Sequence, residues 1–76
     1  MKRSEFIANF ENKFDIPFPK ELKMTSKFRD HPDWSSLQAV VVVVGLEEDY
    51  GVTITADELR KAQSINDLYV LVKQKL

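Results

Sequence analysis

The sequence predicts an all-α fold: a small four-helix bundle with a long loop between helices 1 and 2. Three observations carry that expectation. Apolar residues recur at helical intervals near both ends, as Phe6, Ile7, Phe10 and Phe14, and as Ile65, Leu68, Tyr69, Val72 and Leu76. Serines and threonines suited to helix starts stand at Ser4, Ser35-Ser36, Thr55 and Ser64. The apolar centre runs from Leu37 to Leu46 without a turn signal, and Gly51 is the first residue placed to end it.

In the first element, Ser4 is the expected cap. Pro17 and Pro19 are the expected stop, because proline lacks the donor and disfavours helix in the residue before it. From Asp15 to about Trp34 the chain reads as irregular, with three prolines and with Lys20, Lys23, Lys27 and Arg29 among scattered apolar residues. A connection of roughly twenty residues is long for a compact domain and tends to be functional. Phe18, Leu22, Met24, Phe28 and Trp34 are the residues expected to pin it to the core.

The second element holds Val40 to Val44, five β-branched residues in a row. A strand reading exists, with Val40–Val44, Val52–Thr55 and Leu68–Val72 as a three-stranded sheet. Against it, Glu47, Glu48 and Asp49 are poor strand residues. The helix reading is preferred, although Gly45 costs a helix about 1 kcal/mol against alanine. In that helix Ala39, Val43, Leu46 and Tyr50 form the stripe to bury, with partial burial of Val40 and Val42. Leu37, Val41, Val44 and Glu48 form a second stripe on roughly the opposite side. A helix apolar on both faces in so small a domain wants a partner for the second. Beyond Gly51, Val52 to Ile54 read as an extended link. Thr55 and Glu58 make a capping box for a short third helix, and Ser64 opens the fourth, with Lys73 and Lys75 near its C-terminus.

Composition removes several function classes. The 76 residues allow one domain, 1–76, with a thin core. With no cysteine and one histidine, a disulfide framework and a Cys/His zinc site are excluded. A net charge of −1 is no electrostatic footprint for nucleic acid. The longest apolar run, Ala39–Val44, is far short of the ~20 residues that span a bilayer. Met1-Lys2-Arg3 is followed at once by Ser4-Glu5, so a secretion signal is not expected and the protein reads as cytoplasmic. Little is present from which to build a catalytic site.

From Ser35 to the end, the chain resembles the acyl carrier protein family without a gap. The residues are Ser36-Leu37 at the start of the second helix, then Leu46-Glu47-Glu48-Asp49-Tyr50-Gly51, the link Val52-Thr53-Ile54, Asp57 to Lys61, and Ile65 to Val72. The resemblance implies a four-helix bundle whose Ser36 Oγ carries 4'-phosphopantetheine through a phosphodiester, attached by a phosphopantetheinyl transferase. It implies that the arm's thiol presents acyl groups as thioesters to acyl-transferring and chain-building enzymes of fatty acid, polyketide or related specialised synthesis. The protein itself would be a monomeric non-enzyme. Two departures stand out. The family usually has Asp where this chain has Ser35. Its second helix is also usually acidic along the exposed face, whereas Val41 stands here where an acid is common. Docking through Leu37, Val41 and Val44, with Glu47 and Glu48 at the far end, is therefore expected to be mainly apolar, and the pathway specialised.

Simpler readings stand beside these. Ser36 is alternatively a plain helix N-cap, and Ser35 an alternative attachment point. Glu47, Glu48 and Asp49 are by default a solvated acidic end. His31 is expected at the surface and Trp34 to pack the loop end. The alternative function is a carrier-like helical adaptor that binds a protein through its valine face and lacks the cofactor.

Overall fold

Residues 1–76 are all described by the structure, a computed structural model. It is all-helical: α1 (Arg3–Glu11), a 3-10 turn (Phe28–Asp30), α2 (Ser36–Tyr50), α3 (Ala56–Lys61) and α4 (Ile65–Lys75). The five valines lie in α2, and the sheet reading is excluded.

Helix α1 starts two residues earlier than Ser4 would dictate. Extended Lys2 occupies the cap position without a side-chain cap bond. The helix also ends at Glu11, before either proline. The N–H groups of Lys13 and Phe14 donate three residues back, to the carbonyls of Phe10 and Glu11, and this tightens the turn. Phe14 therefore leaves the helix yet stays in the core. Its ring lies 5.4 Å from that of Phe10 and 4.7 Å from that of Phe18.

The long loop is tied down by backbone as well as by side chains. Ile65 N–H donates to the Ser26 carbonyl at 3.0 Å and Asn66 N–H to the Met24 carbonyl at 2.8 Å. Leu22 and Phe28 are buried, while Phe18, Met24 and Trp34 pack half-buried against the core. His31 is a correction: it is buried, at 3% exposure. Its Nδ1 accepts the Asp33 N–H at 3.0 Å, so Nε2 is the protonated nitrogen, 2.8 Å from the Ile16 carbonyl it donates to. With both nitrogens satisfied, the ring sits between Phe14 and Phe18 at no polar cost.

In α2 the buried face is turned from the expected one. Val42 and Leu46 are fully buried, Ala39, Val43 and Tyr50 lie at the margin, and Val40 is exposed. The rotation accompanies a close approach at Gly45. A Cβ there would meet Lys13 Cε at 2.3 Å and Cδ at 2.9 Å. Glycine lets the Lys13 stem cross the helix, and its ammonium reaches the Asn9 carbonyl and the Asp49 carboxylate. Gly51, at φ 70°, ends the helix by donating its N–H to the Glu47 carbonyl.

Val52 and Ile54 turn inward and Thr53 outward, as an extended link requires. The expected capping box of Thr55 with Glu58 forms, and a second joins Ser64 with Asp67. Helix α4 buries Ile65, Leu68, Tyr69 and Val72, but Leu76 lies past the last turn and is exposed. Phe6 of α1 meets Tyr50 in stacked and Tyr69 in edge-on geometry, joining α1, α2 and α4 in one core.

Candidate functional site

The start of α2 is built by two adjacent serines with different tasks. Ser35 is extended (φ −155°, ψ 175°), and its hydroxyl accepts the Gln38 N–H at 3.2 Å. Ser35, not Ser36, is therefore the N-cap, which corrects the simpler reading of Ser36. Ser36 is the first residue of the helix and is exposed. Its hydroxyl is free of capping duty and stands where the helix dipole is positive and N–H groups are unpaired. The first turn contains no acidic residue. A phosphate joined to the Ser36 oxygen would meet no carboxylate of that turn, so the residues present fit such a group.

From Ser36 the exposed side of α2 continues as an apolar strip. Leu37 is 74% exposed, Val41 40% and Val44 46%, and Val40 joins them at 57%. The structure thus brings the predicted residues onto one face and adds Val40. Glu47 and Glu48 are exposed at the far end of this helix. Asp49 is separate from them in role, because Lys13 holds it.

On the α3 side, Ser36 edges a cleft of about 620 Å³ between α2 and α3, walled by Ala39, Val40, Val43 and Leu59. Two guanidinium groups line it, Arg29 and Arg60. Arg29 donates to the carbonyls of Ala62 and Leu59, the latter at 2.6 Å, and so fastens the C-terminal end of α3 to the 3-10 turn. Arg60 pairs with Asp57 on its own helix. Sequence reasoning missed the cleft and both arginines. Periodicity describes one helix at a time, and this cleft exists only where two helices and a loop meet.

No protein-family model matches the chain. Over 56 residues it is 32% identical to an acyl carrier protein of Petrotoga mobilis. The aligned part is 74% of this chain and 66% of that protein's length. No helix is long and apolar enough to cross a membrane.

Proposed function

We propose that the chain is a single carrier domain of acyl-carrier type, modified with 4'-phosphopantetheine on Ser36 Oγ. The observation that carries this reading is the division of labour at the α2 start. Ser35 closes the helix end, which leaves an exposed, uncommitted hydroxyl at the next residue. The similarity to an acyl carrier protein supports it independently. As Ser36 Oγ bonds to phosphorus, its proton passes to a base on a separate transferase, and the P–O bond of a pyrophosphate-linked nucleotide donor breaks, so that the nucleotide half leaves with its own phosphate. Once attached, the arm's thiol would hold acyl groups as thioesters. The chain has no cysteine, so no protein thiol competes for them. The protein's own residues anchor and present; bond-making belongs to partner enzymes.

Those partners are the transferase and acyl-transferring or chain-building enzymes, docked on Leu37, Val41 and Val44 with Glu47 and Glu48 at the rim. Apolar contact dominates there because the strip carries no charge before Glu47. With a net charge of −1, long-range steering contributes little. A specialised acyl pathway fits this narrow, apolar contact better than bulk fatty acid synthesis.

Co-expression with a broad-specificity phosphopantetheinyl transferase, followed by intact-mass measurement, tests the reading. The expected result is one added cofactor mass, lost in Ser36→Ala. No addition, or an addition that survives Ser36→Ala, overturns it.

A further inference from the structure

The hydroxyl-bearing end of α2 stands between two clefts of unlike charge. The α2–α3 cleft, which includes Ser36, carries Arg29 and Arg60 and no carboxylate. A smaller cleft of about 270 Å³ on the α1 side reaches Ser35 and Leu37 and carries Asp15 and Asp33. Its one cation, Lys13, is already committed to Asp49 and to the Asn9 carbonyl. The carboxylates of Asp15 and Asp33 enter no ion pair.

We propose that Arg60, with Arg29 beside it, binds the phosphate joined to Ser36 and so directs the arm into the α2–α3 cleft. The inference rests on the carrier reading and adds to it the residues that choose the arm's resting side. Arg60 is available for this role. Its present partner, Asp57, lies one turn away on the same exposed surface, and such pairs hold weakly. A guanidinium offers a phosphate two parallel N–H donors, which an ammonium does not. Arg29 has five N–H donors and spends two on the carbonyls of Leu59 and Ala62. The rest add positive charge to the same wall. On the opposite side, the unpaired carboxylates of Asp15 and Asp33 repel a phosphate, so both clefts bias the arm the same way. Beyond the phosphate, Ala39, Val43 and Leu59 give the arm apolar walls to lie against.

Amide chemical shifts of the unmodified and modified protein test this. Attachment is expected to shift the amides of Ala39, Val43, Ala56 and Leu59, and to leave those of Lys13, Asp15 and Asp33 in place. Arg60→Glu, at an exposed position that the fold tolerates, is expected to abolish the shifts at Ala56 and Leu59. In the wild-type protein, 1 M NaCl should diminish those two shifts, because it shortens the screening length to about 3 Å. Shifts confined to residues 35–37, or α3 shifts indifferent to both salt and Arg60→Glu, overturn the proposal. Absence of the cofactor mass from the wild-type protein instead marks failure of the carrier reading itself.

Discussion

Ser35 and Ser36 show how much function depends on which of two identical residues takes a structural task. In the family this chain resembles, aspartate is usual at the position of Ser35. Aspartate and serine are nearly equal as N-caps, so the helix start survives the exchange and a negative charge beside Ser36 is removed. Ser35→Ala should lower unfolding stability by about 1 kcal/mol in urea denaturation, whereas Ser35→Asp should stay within a few tenths of the wild-type value. An unchanged Ser35→Ala would mean that the Gln38 N–H finds water as good a partner as the serine. The sequence showed that a serine begins this helix but did not show which one. Cap position depends on where the backbone turns extended, and both candidates satisfy the pattern. His31 was misjudged for a related reason. Its burial depends on the Ile16 carbonyl, fifteen residues away in the chain, and no local pattern reports that bond.

Among the elements, the Thr55–Glu58 capping box was the most legible feature, because it is written within four consecutive residues, whereas Ser64 was legible as a helix start and the part of Asp67 was not. Both boxes also make the fold sensitive to acid. The Thr55 N–H donated to the Glu58 carboxylate, and then the Lys75 ammonium beside it, hold Glu58 below the usual carboxylate range. The N–H groups of Gln63 and then Ser64 do the same for Asp67. Each group is more acidic folded than unfolded. The stability it contributes is therefore present in full above the ordinary carboxylate range and is lost as pH falls through the folded value. The Glu58→Gln, Asp67→Asn double variant should melt below wild type at pH 7. That difference should shrink once the pH drops below about 4. Melting followed by circular dichroism from pH 7 to 3 checks it, and a pH-independent difference would contradict it. The face of α2 was less legible. Five successive valines occupy every side of a helix, so periodicity could not select Val42 over Val43 as the buried one. Lys13 passing over Gly45 is a contact between α2 and the residues just after α1, and neither segment announces it.

For the whole molecule, the valines divide the apolar area that the fold buries from the area that it leaves in solvent. Helix propensity costs roughly 0.5 kcal/mol per valine against alanine. Val42, fully buried, returns more than that at about 1.5 kcal/mol. Val40, Val41 and Val44 return little while they face solvent, and in the proposed reading a partner enzyme covers them. The exposure of that stripe was legible in the sequence, since a second apolar stripe on a domain with so thin a core has nowhere inside to go. The cleft beside it was not, because it belongs to no single element. In the proposed carrier reading the occupant of the strip is an enzyme surface with an apolar centre. If the chain is the carrier proposed above, the transferase is one such partner and gives a direct readout. Val41→Asp places a charge in the middle of the strip at a site that is 40% exposed, so the helix should persist. Loss of the buried methyls together with desolvation of the new carboxylate should raise the KM for modification roughly tenfold, which corresponds to about 1.4 kcal/mol. The value of kcat should change little, because Ser36 lies more than a helical turn away and keeps its geometry. Initial rates of modification over a range of carrier concentrations separate the two constants. A KM equal to that of the wild type would show that the transferase does not use the strip, while a fall confined to kcat would place the damage at the α2 start instead.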